Sequence, residues 1–325
     1  MHAIRSFKHL LAFGLLAAST LAVAQPETGG SVKILVGFPA GGAPDAVARA
    51  FADQLRQSSG ATVVVENKPG ASGKIAIDAL LSSPATGETV ALIPSALLAL
   101  APQILKSAKY DSVRDFVTLG SVAEYGFGIA AGPASRATSI AAYKEWAKAH
   151  PKDSSYGTPG QGTPQHFLGA QLEKILGIEL THVPYKGGAA AVTDVLGGTV
   201  PLLITTEQLL VPYEAQGKLK ALLITSRQRN PKMPNVPTAR EAGFPQLEAT
   251  DWFGLFAKTG TPSASAAEWR AQLAKVLASP KYQEAMKNQG FNVPSSQPAD
   301  FPKLLAAERT DWAERVKVSG FTATD

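Results

Sequence analysis

The sequence of 325 residues contains no cysteine and has a formal net charge of +5 at pH 7. The lack of cysteine excludes disulfide bonds, thiolate metal sites and cysteine nucleophiles. Lysine and arginine are scattered along the chain and do not cluster in a stripe with aromatic residues. This charge distribution argues against a nucleic acid as a partner.

Residues 1–24 have the pattern of an export signal. Arg5 and Lys8 give a basic start, residues 10–23 are apolar, and Ala22 and Ala24 supply the small residues of a cleavage site. A single anchoring helix is the alternative, but the apolar run is shorter than the about 20 residues that a bilayer span needs. We expect cleavage near Ala24. The loss of both basic residues lowers the net charge from +5 to +3, and no cysteine remains for a lipid anchor.

Apolar runs rich in β-branched residues alternate with segments of helical spacing along the rest of the chain. In the first helical segment, Val47, Phe51 and Leu55 recur every four residues and form one apolar face. Several apolar runs are continuous, which is typical of strands buried on both faces of a parallel sheet. The predicted strands are SVKILVGF, ATVVVEN, ETVALIP, SSYGTPG, IELTHVPY, TVPLLITT and KLKALLITS. The alternation predicts an α/β fold with mostly parallel sheets flanked by helices.

The chain without its leader has about 300 residues, more than one hydrophobic core usually serves. Two long extended segments, residues 115–132 and 247–260, stand on either side of a self-contained block of strands and helices. We expect these segments to carry the chain from one lobe to the other and back. The predicted lobes are residues 30–124 plus 251–325 for lobe 1 and residues 125–250 for lobe 2.

Beyond Pro262 the sequence predicts helices that return to lobe 1. Trp269, Leu273 and Val276 form a stripe at helical spacing within this part of the chain. We interpret the stripe as core packing, in preference to a surface for a partner.

Three glycine-rich turns each follow a predicted strand and precede a predicted helix. They lie at residues 37–45, 156–166 and 183–194. Glycine lets another group approach the bare backbone amides, and a helix N-terminus adds unpaired N–H groups and a partial positive charge. Such turns favour binding of a carboxylate, sulfate or phosphate, although each alone also suits an ordinary tight turn. None matches a nucleotide-binding motif, which makes a nucleotide phosphate the poorer candidate.

The sequence offers little support for an enzyme. The histidines beyond the leader, His150, His166 and His182, have no metal-ligand spacing. His166 follows a glycine turn, so contact with a ligand and a capping or core role are both open. Asp45 lies near a helix start, where a structural interaction with the helix dipole and a role in binding are equally supported.

Several segments resemble, in order and spacing, the substrate-binding proteins of tripartite tricarboxylate transporters, the Bug family. The resemblance covers nearly the whole chain after the leader, and VENKPGASG and VPYKGGAAAVTD are its most specific parts. The other matching segments are VGFPAGGAPDAVAR, YDSVRDF, SYGTPGQGTPQH, THVPYKGGAAAVTDVLGG, GKLKALLITS, NVPTAREAGFP and WFGLFAKTGTP. The resemblance implies a two-lobed periplasmic binding protein of type II, the Venus-flytrap kind, with two crossover strands as its hinge.

The resemblance also implies a ligand class and a set of site residues. Family members hold the carboxylate of a small organic acid against loops from both lobes, partly through ordered water. Carried over to this sequence, the residues that would contact the ligand are Phe38, Ala40, Gly41, Gly42, Asp45, Ser95, Thr158, Thr163, Tyr185, Lys186 and Gly187. We add His166, which follows a glycine turn, and Thr205 and Thr206, which stand where the family pattern has an aspartate and an asparagine. Ser95 is the weaker candidate among them, and Lys186 is as compatible with a solvated surface position as with steering of an anion.

The segment GGTVPLLITT departs from the family pattern GGQVDLMFDN. Pro201 replaces an aspartate, and Thr205 and Thr206 replace an aspartate and an asparagine. Pro201 is compatible with a strand only if it lies at the strand's beginning. The loss of an acidic residue from the cleft edge argues against an amine-bearing ligand and favours a purely anionic one, either a dicarboxylate or an aromatic carboxylate.

These patterns predict a periplasmic receptor that captures a small organic carboxylate and delivers it to membrane permease subunits of a tripartite transporter. A ligand sensor that presents the same solute to a signalling partner needs the same cleft and is the alternative. An α/β enzyme is disfavoured because no nucleophile, base or metal set is found. We expect a monomer that needs no cofactor.

Overall fold

The computed structural model describes residues 31–295, 297, 300–319 and 321. The predicted signal peptide lies outside the described residues. The described residues form nine strands: β1 Ser31–Val36, β2 Thr62–Asn67, β3 Thr89–Pro94, β4 Phe116–Ala131, β5 Ser155–Thr158, β6 Thr181–Pro184, β7 Leu202–Thr206, β8 Lys220–Ile224 and β9 Thr250–Lys258. The predicted strand segments are therefore confirmed.

Helices connect most of these strands and form the C-terminal part of the described chain. They are α1 Ala43–Ser59, α2 Lys74–Ser82, α3 Ser95–Ala99, α4 Ala101–Ile104, α5 Ile140–Ala149, α6 Pro164–Leu176, α7 Gly188–Leu196, α8 Glu207–Ala215, α9 Ser263–Ala278, α10 Pro280–Gln289 and α11 Phe301–Ser319. Two 3-10 turns lie at Ala71–Gly73 and Pro245–Leu247. The helices predicted beyond Pro262 are confirmed as α9 to α11.

The strands join in the order β2-β1-β3-β9-β4-β7-β5-β6, with β8 also paired to β4. Strands β2, β1 and β3 are parallel to one another, and so are β7, β5 and β6. The antiparallel strands β9 and β4 connect these two parallel groups. The two-lobed α/β fold predicted from the sequence is confirmed, and the exact lobe boundaries remain a prediction.

Strand β4 belongs to both groups of strands. Its residues from Phe116 to Gly126 pair with β9, and those from Phe127 to Ala131 pair with β7 and, from Gly128 onward, with β8. One continuous strand thus carries the chain from the first group of parallel strands to the second. The chain returns through the segment that leads into β9.

The core contains the apolar stripes that the sequence predicts. Val47, Phe51 and Leu55 of α1 are buried, and the ring of Phe51 packs edge-on against Tyr282 of α10 with 6.2 Å between centroids. Trp269, Leu273 and Val276 of α9 are buried as well, which confirms their core role. Pro201 immediately precedes β7, where its missing N–H leaves no gap in the strand pairing.

A second apolar cluster joins α6 to helices α3, α4 and α11. Phe167 of α6 is buried among residues of α3 and α4 and packs edge-on against Trp312 of α11, with 5.6 Å between ring centroids. Helix α6 is therefore fixed to both sides of the molecule, and so is the glycine-rich turn that leads into it.

Candidate functional site

A cleft with about 690 Å³ of open space lies where the ends of the two parallel strand groups face each other. Its walls come from the turns that follow β1, β3, β5, β6 and β7, and from β4 and β9. The lining residues are Phe38, Pro39, Gly42, Ala43, Pro44, Pro94, Leu97, Tyr125, Pro159, Thr163, Pro164, Gln165, Lys186, Gly187, Gly188, Ala189, Ala190, Thr205, Thr206, Leu209, Asp251 and Phe253.

Four helices of eight or more residues, α1, α6, α7 and α8, begin at this cleft. Their N-caps are Gly42, Thr163, Gly187 and Thr206. The first-turn N–H groups of a helix have no partner within the helix, and the macrodipole gives that end a partial positive charge. Of the four caps, Thr163 makes a side-chain capping bond, in which its hydroxyl accepts from the His166 N–H at 3.4 Å. The cleft therefore presents unpaired donors to whatever enters it.

A buried carboxylate holds the turn before α1 in place. Asp45 is 4% exposed and accepts hydrogen bonds from the Gly41 N–H at 3.0 Å, Arg49 Nε at 3.0 Å and Asn67 Nδ2 at 2.9 Å. Asn67 Nδ2 also donates to the Phe38 carbonyl at 3.0 Å. Burial alone would raise the pKa of the Asp45 carboxyl, but the bonds from Arg49, Gly41 and Asn67 outweigh it and lower the pKa. Asp45 thus braces the turn and does not line the cleft.

The turns before α1 and α7 meet across the cleft. A Cβ built at Gly187 would lie 2.9 Å from Pro39 Cδ, and Gly187 has φ +119°, so both space and backbone conformation require glycine there. A Cβ at Gly188 would lie 2.7 Å from Thr205 Oγ1 and 2.6 Å from Leu209 Cδ1. The first turn of α7 therefore packs closely against Thr205 and Leu209, with no room for a side chain at Gly188.

Thr205 and Thr206 are the threonines that end β7. They are 0% and 6% exposed, both line the cleft, and neither Oγ1 has a hydrogen-bond partner within the described chain. A buried hydroxyl without a partner costs about 1–3 kcal/mol. Such a cost in a cleft wall indicates that a ligand or water completes the pair.

The turn between β5 and α6 is held by its own threonines and by two stacked histidines. Thr158 Oγ1 bonds to the Gly160 backbone and, at 2.7 Å, to His182 Nε2, while the ring of His182 stacks on His166 with 3.8 Å between centroids. His166 Nδ1 accepts from the Gly162 N–H at 3.2 Å. Burial lowers the pKa of His166 to about 4. Burial together with the neighbouring His166 lowers the pKa of His182 to about 3. Both rings are neutral at pH 7 and support the turn.

Ser95 follows β3 and is engaged by a buried carboxylate of β9. Its Oγ donates to Asp251 Oδ1 at 2.7 Å, and the same oxygen accepts from the N–H groups of Ala96 at 3.3 Å and Trp252 at 2.7 Å. The hydroxyl of Tyr125 donates to Asp251 Oδ2 at 2.7 Å. Burial raises the pKa of Asp251 in spite of these four bonds. Asp251 and Tyr125 line the cleft, whereas Ser95 lies behind them.

Lys186 and Tyr185 lie at the turn before α7. Lys186 is exposed, lines the cleft, and forms no ion pair among the described residues. Tyr185 donates its hydroxyl to Asp194 Oδ2 at 2.8 Å and faces a smaller neighbouring cavity, which Lys186 also lines. Burial, with the bonded Asp194, raises the pKa of Tyr185 to about 12.

The structure divides the predicted site residues into two sets. The residues that line the cleft are Phe38, Gly42, Thr163, Lys186, Gly187, Thr205 and Thr206. The residues that do not line it are Ala40, Gly41, Asp45, Ser95, Thr158, His166 and Tyr185. Their part in binding stays a prediction, as contacts or as supports of the turns.

The sequence missed several lining residues. The apolar ones, such as Leu97, Leu209 and Phe253, lie in runs that read simply as core. Asp251 sits inside a predicted crossover strand and lines the cleft, so the cleft has an acidic side chain although Pro201 replaces the aspartate of the family pattern. The Thr-Thr-Glu run at the start of α8 is an N-cap signal that could have indicated a fourth helix end.

The part of the chain with described residues holds no group of three or more histidine, aspartate or glutamate side chains arranged to bind a metal ion. None of its helices is both long and apolar enough to cross a membrane.

Asp45→Asn tests the brace behind the α1 turn. The substitution removes a charged acceptor and should lower the free energy of unfolding by about 1.5–3 kcal/mol at pH 7. Because the folded-state pKa is lowered, the contribution of Asp45 is present above its ordinary pKa and is lost as the pH falls through the folded value. Urea unfolding should therefore show a difference between variant and wild type that is largest at pH 7 and shrinks as the pH is lowered below the ordinary pKa of an aspartate. Asp53→Asn, on the exposed side of α1, is the control, and an equal loss there would contradict the assignment.

Lys186→Ala tests the exposed cation at the cleft mouth. We expect a several-fold weaker affinity for a carboxylate at low ionic strength and a smaller difference at 0.5 M salt, because salt screens exposed charges. Titration calorimetry at both salt concentrations measures the effect, with the exposed Lys152→Ala as matched control. Equal affinities of wild type and Lys186→Ala at low salt would remove Lys186 from the site.

An interlobe cleft into which helix N-termini point defines a solute-binding protein of the two-lobed type. The family model described as "Tripartite tricarboxylate transporter family receptor" matches residues 47–320, and the chain belongs to this family. BugT of Bordetella pertussis (strain Tohama I) is 31% identical over 290 residues, which are 89% of each chain.

Solved structures agree with this membership. The structure of periplasmic binding protein BugD matches with a TM-score of 0.85 and 32% identity, over 90% of this chain and 99% of that one. Rpa4515 of R. palustris, solved with adipate, matches with a TM-score of 0.86 and 27% identity, over 92% of this chain and all of that one. The family and these neighbours are binding proteins.

Proposed function

We propose that this protein captures a small organic carboxylate in the cleft and delivers it to the membrane subunits of a tripartite tricarboxylate transporter, without changing it chemically. The observation that carries the proposal is the meeting of the turns before α1 and α7 across the cleft, near the unpartnered Thr205 hydroxyl. Adipate in the Rpa4515 structure supports the ligand class. Export to the periplasm with removal of residues 1–24 belongs to the same proposal.

The donors are sufficient for a useful affinity. A hydrogen bond to a charged group contributes about 1.5–3 kcal/mol. Four or five such bonds together contribute about 6–15 kcal/mol, a range that contains the about 8 kcal/mol that micromolar affinity requires. The upper part of this range also offsets a cost of association of several kcal/mol. First-turn amides of α1 and α7 together with Thr205 provide that number of donors.

Closure follows from where these donors sit. We place the lobe boundaries at residues 124/125 and 250/251, so the α1 turn belongs to lobe 1 and the α7 turn to lobe 2. A carboxylate that bonds to both turns stabilises the form in which they meet. The ligand shifts the population toward that form by its difference in affinity for the two forms.

Gly42→Leu tests the binding site directly. A Cβ at Gly42 would lie 3.4 Å from the Pro39 carbonyl, so a small side chain is accepted, but a leucine would extend into the cleft that Gly42 lines. Thermal unfolding is followed with a panel of mono- and dicarboxylates from acetate to adipate, benzoate and terephthalate. We expect at least one acid to raise the melting temperature of wild type and of the control Gly42→Ala, and none to raise that of Gly42→Leu.

If no acid stabilises the wild type, the carboxylate proposal fails. If Gly42→Leu retains the full shift, the ligand binds elsewhere. Release of an altered product, seen by mass spectrometry after incubation with any bound acid, would show an enzyme instead of a receptor.

Thr205→Val separates binding from stability. Removal of an unpartnered buried hydroxyl should leave the ligand-free protein as stable as the wild type or more so, because the cost of the orphan oxygen disappears. The same change should weaken carboxylate binding about tenfold, which is about 1.4 kcal/mol. Calorimetry and urea unfolding measure the two effects, with the exposed Thr193→Val of α7 as control. Unchanged affinity in Thr205→Val would contradict a contact between this hydroxyl and the ligand.

A further inference from the structure

The two ends of the cleft differ in charge. The end formed by the first turns of α1 and α7 with Thr205 and Lys186, here called the amide end, is rich in donors and carries the one basic side chain among the lining residues. The opposite end is formed by Tyr125 and Asp251 and is here called the acidic wall. In the sheet, β3 separates β1 from β9, so the turn after β1 and Asp251 are two strand spacings apart, about 10 Å.

The acidic wall has no basic counterpart. Asp251 takes part in no ion pair within the described chain, and its four hydrogen bonds come from neutral donors. Tyr125 directs its hydroxyl proton at Asp251 and stacks its ring on Phe253 with 4.3 Å between centroids. The wall therefore offers a ligand an aromatic face and acceptor oxygens.

Other buried carboxyl groups lie behind the wall. Glu308 of α11 accepts from Trp252 Nε1 at 2.8 Å, and its other oxygen is buried without a partner. Burial, helped by the nearby Asp251, raises the pKa of Glu308 to about 7, so this carboxyl is partly protonated at neutral pH. Glu207 of α8 accepts from the N–H of Gly126, the residue after Tyr125, and burial raises its pKa too.

The space between the two ends is apolar. Phe38, Leu97 and Leu209 line it together with prolines. A second carboxylate of a ligand bound at the amide end would be buried against these side chains and directed at Asp251. A buried charge without a partner is strongly unfavourable. The unpartnered hydroxyl of Thr206 could pair with a neutral polar group but cannot neutralise a charge.

Resting on the proposed function, we infer that the cleft is selective for an anion with a single carboxylate, whose uncharged apolar body lies against the acidic wall. Acyclic and aromatic monocarboxylates of about six to nine carbons span the about 10 Å between the ends. Of the two ligand classes that the sequence predicts, this inference rejects the dicarboxylate and keeps the aromatic carboxylate, and it adds acyclic monocarboxylates.

The test compares hexanoate, adipate and 6-aminohexanoate, which share one chain length and differ in the group at the far end. Benzoate and terephthalate form a second matched pair. Titration calorimetry at constant ionic strength and pH 7.5 should give hexanoate and benzoate at least about tenfold tighter binding than their dicarboxylate partners, since a like charge facing a buried carboxylate is unfavourable. The distal ammonium should also weaken binding, because burying its charge against the apolar side chains between the ends costs more hydration than one further bond to Asp251 returns.

Asp251→Asn examines the cause of the selectivity. The variant should reduce the ratio of hexanoate affinity to adipate affinity several-fold. Asp153→Asn, on an exposed turn, should leave this ratio unchanged. If Asp251→Asn does not fold, the wild-type comparison alone decides. Adipate or terephthalate binding as tightly as its partner would overturn the inference and leave the carboxylate receptor intact, and tighter binding of 6-aminohexanoate would replace it with an amino-acid ligand. Binding of no acid at all would remove the proposed function and the inference together.

Discussion

The architecture of the site depends on backbone N–H groups that the fold itself leaves without acceptors. Helices α1, α6, α7 and α8 all begin at one cleft, and their first-turn donors cannot be satisfied within the helices. Elsewhere in a protein such ends are exposed to water or capped by side chains. Here Thr163 caps its helix, while Gly42 and Gly187 supply no side chain at all. The glycines keep the donors open toward the cleft.

Charged and polar side chains around the cleft mostly hold these donors in position. Asp45 and Asn67 fix the turn before α1, Thr158 with the paired histidines fixes the turn before α6, and Asp251 joins Ser95 to Tyr125. Such supports keep binding groups in place before the ligand arrives, which reduces the ordering cost of association. The site therefore has a rigid polar frame around a mostly apolar space.

The sequence predicted the strands, the order of the chain through the two lobes and three of the four helix ends, because periodicity and glycine placement are local signals. It could not separate a residue that touches the ligand from one that supports the turn. Ser95 and Asp251 are 156 residues apart, and Asp45 and Asn67 are 22 apart, so no local pattern shows that they bond. Asp251 was missed for the same reason. Its strand is otherwise apolar in sequence, and the position of the carboxylate at the cleft follows only from the pairing of β9 with β3.

Strand β4 also sets how the two groups of strands can move. Pairing passes from β9 to β7 between Gly126 and Phe127, without a break in the strand. Gly126 has no space for a side chain, since a Cβ there would collide with Ser226 Oγ. A rotation of one half relative to the other must therefore twist the hydrogen-bonded strand β4, because no flexible linker interrupts it at this crossing. Twist is the deformation that leaves the strand hydrogen bonds of β4 intact, so opening and closing of the cleft at this crossing should take the form of a rotation.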